Sequence, residues 1–324
     1  MTVRPGLGIS GPESTAPTAP PFHMPSSRRS PAAARVMTGG GLLLLLGILC
    51  FSAPLFEQWR GMDATTIDLL DRLSGPNARH WLGTDDLGRD VFLRLLQGGQ
   101  ASLTVGIAAA LCTALIGTAV GLLAGYIGGR TDQVLMRTTD MVIAVPILPL
   151  LILLAALDPA KLGLPDGLAQ SPAFSLYRIV TIIALFGWTG VARLVRAATL
   201  SIRHCDYVRA ARALGAGPGR IMLMHILPNT LSPLLVATTL SVGNIILLES
   251  VLSFLGLGIQ PPLASWGNML TNAQETIWSA PALAIYPGLL IFLTVAAFNI
   301  LGDGLRDLSD PRSGTNRRQG AGNA

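Results

Sequence analysis

The sequence predicts an all-α protein that crosses a membrane six times. Three observations carry that reading. Of the 324 residues 50% are hydrophobic and only 13% charged, where a soluble domain carries about 25% charge. Six apolar runs each reach about 20 residues, the length a helix needs to cross hydrocarbon. Basic residues divide unevenly between the segments that join these runs, with 16 of the 23 Lys and Arg falling on one side.

Residues 1–35 are rich in Pro, Ser, Ala and Gly and cannot bury a core, so they read as a disordered tail. The tail contains Gly6-Leu7-Gly8-Ile9-Ser10-Gly11, a match to the dinucleotide pattern GxGxxG. With no strand before it and no helix after it, the match carries no function. The first span is 37–56. It is long enough to cross, and Ser52-Ala53-Pro54 is a poor cleavage site, so it reads as a span rather than a signal peptide.

Segment 57–100 combines five arginines (Arg60, Arg72, Arg79, Arg89, Arg94) with seven acids and holds His80-Trp81-Leu82-Gly83-Thr84-Asp85-Asp86-Leu87-Gly88-Arg89-Asp90. Gly83-Thr84-Asp85 supplies turn and N-cap chemistry, and the acids can pair with Arg89. The remaining spans are 101–125, 139–157, 178–198, 232–256 and 281–302. Gly117, Gly121, Gly125, Gly256 and Gly258 are expected to let helices pack closely. Asp303 and Arg306 have the spacing of a local helix pair.

Between the fourth and fifth spans lies 206–229, a polar loop bearing Arg209, Arg212 and Arg220. Tyr207, Ala210 or Ala211, and Leu214 fall on one helical face. Asp206 is an expected N-cap and Gly215 an expected C-terminal stop in the left-handed region. A helix of about nine residues is too short to persist alone in water, so something must hold it. Gly217-Pro218-Gly219 breaks the chain before a second amphipathic piece that ends at Leu227-Pro228. With Asp206 as cap, a Glu at position 209 would complete a capping box. Arg209 instead opposes the helix dipole, at about 0.3–1 kcal/mol if exposed, so Arg209→Glu is expected to help.

The arginine asymmetry puts the N-terminus, the 206–229 loop and the C-terminus on the cytoplasmic side. It also accounts for the net charge of +5 without nucleic acid, because the arginines sit between membrane spans and Lys161 is the only lysine. Cys50, Cys112 and Cys205 share no spacing that suggests a disulfide or a metal site. Lys161 has no glycine-rich lead and Leu162 follows it, so the chain has no Walker A loop. No H-E-x-x-H or G-x-S-x-G is present either, so no catalytic residue, cofactor site or metal site is predicted. Glu249 falls inside the fifth span. It either lines a solute path or is a structural carboxyl bonded to a neighbouring helix. Asn244 is a second candidate for the path, although Asn244 and Asn299 equally fit helix–helix hydrogen bonding.

Five stretches resemble the C-type permeases of the dipeptide, oligopeptide and nickel group of ABC importers. The 206–229 loop is similar to the family's EAA loop through Ala210, Ala211, Gly215, Leu227 and Pro228, with Arg209 in place of Glu and His225 in place of Ile. The segment Gly83–Asp90 is similar to G-T-D-x-x-G-R-D. The others are Gly128–Asp140, Leu252–Gly267 and Phe298–Arg312. The resemblance covers about residues 36–312 and implies the type I ABC importer permease fold. It makes 1–35 and 308–324 cytoplasmic tails, 36–100 the first span with its outer segment, and 101–307 the transport domain. It implies that the loop forms a coupling helix (Asp206, Tyr207, Arg209, Ala210, Ala211, Gly215, with Leu227 and Pro228 beyond) docked on an ATPase. Further implied partners are a second, B-type permease, two ATPase subunits that hold the ATP and Mg, and an extracytoplasmic binding protein, all at a bacterial inner membrane. The substrate class implied is a peptide, a nickel chelate or glutathione. An ATP-independent secondary transporter or channel, and a membrane-anchored scaffold, are the competing classes. The first needs ion-coupling acids in the membrane, for which Glu249 alone stands. The second has no use for a helix–breaker–helix loop.

Overall fold

The computed structural model describes residues 31–157, 171–271 and 273–309, together with Gly167. Residues 1–30 of the expected tail 1–35, the dinucleotide-like glycines, Lys161 and residues 310–324 lie outside the described residues. The described chain is helical, and its only β pairing is an isolated bridge between Thr84 and Asp90.

Helix α1 (Pro31–Phe51) begins five residues inside the expected tail and leads through Ser52 into α2 (Ala53–Arg60). The outer segment then runs to Asp90. Helix α3 (Val91–Ile127) follows, ten residues longer at its start than the span the sequence predicts. Helices α4 (Gly129–Ala144) and α5 (Ile147–Ala155) occupy the place of the third expected span, bent by 82° between them. The expected straight span 139–157 is therefore broken. Pro146 cannot donate to the helix ladder, and it pushes Val145 into extended backbone (ψ 129°). Helices α6 (Pro172–Gly187) and α7 (Thr189–Ile202) meet at a 43° bend. After α8 (Asp206–Ala213) comes α9 (Pro218–Phe254), and α10 (Ala282–Ser309) closes the described chain. Four helices are long and apolar enough to cross on their own (Ala32–Phe51, α3, α9 and α10). Counting each bent pair as one crossing gives six.

Helix α3 is the central post, packed against α7, α9, α6 and α1, while α1 also packs against α10. Glycines set the closest of these contacts. A Cβ on Gly117 would stand 2.6 Å from the Trp188 carbonyl, one on Gly121 2.6 Å from the Ala192 carbonyl, and one on Gly125 2.7 Å from Thr199 Cβ. These three are spaced i, i+4, i+8, so they form one seam against α7. Gly39 does the same for α1 against Ala297 and Leu301 of α10. Gly256 does not match the packing expectation. It has φ +74° with open space around it, and it serves as the turn residue after α9.

Candidate functional site

Two parts of the molecule carry polar chemistry, one at each end of α3. The part at the start of α3 is organised by Asp90. Its Oδ1 accepts from the Leu93 N–H at 2.9 Å, which makes it the N-cap of α3. Its Oδ2 lies 3.0 Å from His80 Nδ1 and 3.3 Å from Arg60 Nη1. On its far side the His80 ring meets Asp71 through Nε2 at 3.1 Å. The expected cap at Gly83-Thr84-Asp85 is thus displaced to Asp90, and the earlier residues make the turn. Gly83 has φ +80° and Gly88 has φ +74°. At Gly88 a side chain would run into the Asp68 carbonyl, so glycine is required there. Asp85 pairs with Arg89 Nε at 2.7 Å, as expected, and with Arg94 Nε at 3.3 Å.

Glu249 belongs to this same end. Its side chain is fully buried, five residues before α9 ends. Ser102 Oγ of α3 donates to Oε2 at 3.0 Å, and Ser253 Oγ donates to Oε1 at 2.7 Å. Those hydroxyls are also acceptors. The Trp266 N–H reaches Ser102 at 3.3 Å, and the Ile259 N–H reaches Ser253 at 3.0 Å. Trp266, itself fully buried, donates its ring N–H to the Leu95 carbonyl at 3.0 Å. Glu249 therefore joins α3, α9 and the 257–267 return loop inside the subunit. Asn244 is exposed on the other side of α9, and Asn299 is exposed on α10. Neither sequence spacing nor composition could have found the Ser102 and Trp266 partners, because they lie 147 and 17 residues from Glu249 along the chain and meet it only in three dimensions.

At the opposite end α7 stops at Ile202 and α8 starts four residues later. Cys205, in extended backbone (φ −66°, ψ 148°), occupies the cap position and makes no side-chain cap bond. Asp206 is therefore the first helical residue rather than the N-cap, and its carboxylate favours the dipole without capping it. A Glu at 209 could not close a capping box, because the third helical position is Val208. The stop is as expected. Gly215 has φ +84°, its N–H donates to Arg212 O at 3.0 Å and the Ala216 N–H donates to Ala211 O at 3.0 Å, a Schellman closure. Val208 is fully buried in a second core with Leu122, Val191, Val195, Ile221 and Ile226. Arg212 lies over the Tyr126 ring, 5.5 Å from its centroid. The short helix is thus held on its inner side by its own chain. Tyr207, Arg209, Ala210, Ala213 and Leu214 remain exposed, and Ala211 is half-buried.

The second amphipathic piece does not end at Leu227-Pro228. Pro218 is the first residue of α9, the position where its missing N–H costs nothing. The helix continues through a π turn at Met222–Ile226. This wider turn makes room for Pro228, whose ring would otherwise press on the carbonyl four residues back.

A bundle of bent and straight apolar helices, with polar closures at both ends, is the architecture of a polytopic membrane protein. Residues 117–314 match the binding-protein-dependent transport system inner membrane components. The chain belongs to that family, the permease subunits of ABC importers. It is 38% identical over 276 residues to the oligopeptide transport system permease protein OppC of Bacillus subtilis, covering 85% of each chain. It is 42% identical over 277 residues to the glutathione transport system permease protein GsiD of Pectobacterium atrosepticum, covering 85% of this chain and 86% of the relative. To the nickel transport system permease protein NikC of Escherichia coli it is 38% identical over 269 residues, covering 83% of this chain and 92% of the relative.

Proposed function

We propose that this chain forms half of the membrane pathway of an ATP-driven importer for short peptides or a related small solute such as a nickel chelate or glutathione. The names of its relatives support this range of solutes. The other half is a second, B-type permease. Two ATPase subunits hold ATP and Mg, and an extracytoplasmic binding protein delivers the solute. This chain contributes no catalysis and no cofactor. Both termini face the cytoplasm of a bacterial inner membrane. Helix α8 is the coupling element, and alternating access follows when ATP closes the ATPase pair and carries α8 with it.

One observation carries the coupling assignment: α8 is anchored through Val208, yet presents Tyr207, Arg209, Ala210 and the 88% exposed Leu214 away from its own chain. An exposed apolar residue at the tip of a capped helix is what a helix-in-groove partner uses. Asn244, on the outward side of α9, remains the candidate path residue. Glu249, enclosed between α3 and α9, acts as the clamp that keeps the outer return loop on the bundle.

The test is purification of the tagged chain from cells that express the whole operon. The complex should retain an ATPase and hydrolyse ATP faster when loaded binding protein is added. The chain by itself should bind no nucleotide. Solute uptake driven by an ion gradient, with the ATPase removed, would establish a secondary transporter instead.

A further inference from the structure

We infer that the inner interface has a fixed polarity, with Arg209 of α8 seated against a carboxylate on the ATPase subunit. This rests on the coupling reading above. Burial of Val208 defines which way α8 points. Asp206, Ala210 and Ala213 lie nearly half a turn from Val208 and Arg209 a little over a quarter turn, and all four are exposed. Ala210 and Ala213 are small, so a partner can approach the helix closely there, and Arg209 is the one long side chain on that face.

Several neighbouring cations are engaged within the subunit, whereas Arg209 is held by no close pair. Arg193 binds Asp140 at 2.5 Å and Arg196 binds Asp132 at 2.5 Å. Arg203 Nη1 donates to the Gly125 carbonyl at 2.8 Å, and Arg212 rests on Tyr126. Among the described residues the one ion pair Arg209 makes is with Asp206, at 3.8 Å, and both side chains are largely in water (67% and 99% exposed). A pair that long and that exposed holds neither residue. With Asp132 and Asp140 paired within the subunit, α8 and the first turn of α9 carry the exposed Arg209, Arg212 and Arg220 against one acid, Asp206, and are left net positive. A docking surface of this sign is complementary to an acidic one. Leu214, at the C-terminal tip of the same helix and five residues from Arg209, needs an apolar recess of its own. The occupant is therefore an ATPase surface that carries both a carboxylate and an apolar recess.

The experiment uses the full importer reconstituted in nanodiscs of neutral lipid and of 30% anionic lipid, about the range in which headgroup attraction becomes appreciable. Retention of the ATPase on the tagged permease and stimulated ATP hydrolysis are read against NaCl concentration for wild type, Arg209→Gln, Arg209→Glu and Leu214→Asp. Arg209→Gln should weaken ATPase retention about tenfold and flatten its salt dependence, and Arg209→Glu should weaken it about a hundredfold. Cross-linking from Arg209→Cys locates the facing acid. Reversing that acid to Arg should impair the wild-type permease and restore Arg209→Glu by at least about tenfold. If Leu214→Asp uncouples the complex while Arg209→Glu behaves as wild type, the charge pairing is wrong and the coupling reading stands. If neither substitution has an effect, the coupling reading itself fails. A loss in Arg209→Glu that occurs only in anionic discs would assign Arg209 to lipid headgroups and overturn the pairing.

Discussion

Arg196 holds Asp132 by two parallel hydrogen bonds, 2.5 Å from Nε to Oδ1 and 2.6 Å from Nη2 to Oδ2, and so fastens the start of α4 to α7. The fork geometry makes this a better pair than a single surface contact. It lies one turn along α7 from Thr199, which faces Gly125 at the end of α3. The three helices that meet above α8 are therefore joined by charge as well as by packing.

Asp132→Asn should loosen that joint without unfolding the bundle. Both side chains are partly exposed (18% and 32%), so the loss should be about 1 kcal/mol. The expected result is full membrane insertion, a melting temperature lowered by a few degrees, and binding-protein stimulation of ATP hydrolysis reduced by about half. Thermal scans and stimulated ATPase rates on the same preparation check it. Unchanged stimulation would mean that α4 is not part of the moving unit.

Gly215→Val should abolish uptake while the subunit still inserts. The position has room for a side chain, since no atom lies within 4 Å of a built Cβ, so the penalty is conformational. A β-branched residue at φ +84° costs at least about 1–2 kcal/mol and unravels the last turn of α8. Gly215→Asn, which tolerates this region, should retain most uptake. Equal activity in the two variants would contradict the role given to the turn.

Asp90 separates capping from charge. Asp90→Asn keeps an oxygen for the Leu93 N–H but leaves His80 and Arg60 facing a neutral amide. Asp90→Ala loses both functions, about 1 kcal/mol for the cap and about 3–5 kcal/mol for stranding a buried cation. The expected order of yield and thermal stability is wild type, then Asn, then Ala, read by size-exclusion recovery after heating. Equivalence of Ala with wild type would remove Asp90 from the framework of the outer end.

Glu249→Gln tests the clamp. The amide oxygen can still accept from one serine, and the other hydroxyl can turn to accept from the amide N–H. Uptake should stay within about threefold of wild type. Glu249→Leu strands the Ser102 and Ser253 hydroxyls at about 1–3 kcal/mol each and should be unstable. A Gln variant of normal stability but without uptake would move Glu249 from a structural role to the solute path.

Much of this was legible in the sequence, and the exceptions have physical causes. Gly215 announced the end of α8 because few residues other than glycine suit a left-handed stop. Asp206 was placed one position too early because an acid is favoured both at the cap and in the first turn, and spacing alone does not separate the two. Pro146 and Pro218 were visible signals read at the wrong scale. The first was submerged in an apolar run, and the second was treated as a breaker although proline suits the start of a helix. Asp90, directly before a long apolar run, had the signature of a cap. The Glu249 network had no such signature, because its partners come from another helix and from a loop that folds back.

The glycine seam between α3 and α7 has a mechanical consequence. Along Gly117, Gly121 and Gly125 the α3 backbone lies against the Trp188 and Ala192 carbonyls and the Cβ atoms of Val191, Val195 and Thr199, so only short side chains from one helix stand between the two. Helices packed this closely have little room to slide past one another. Helix α3 is 37 residues long, a rod of about 55 Å, with its outer end socketed in Asp90, His80 and Arg60. If α8 is the coupling element proposed above, a displacement there has a short route to this rod, through the three residues that join α7 to α8. It would then reach the Asp90 socket at the far end of α3, so the two ends of the subunit would share one lever.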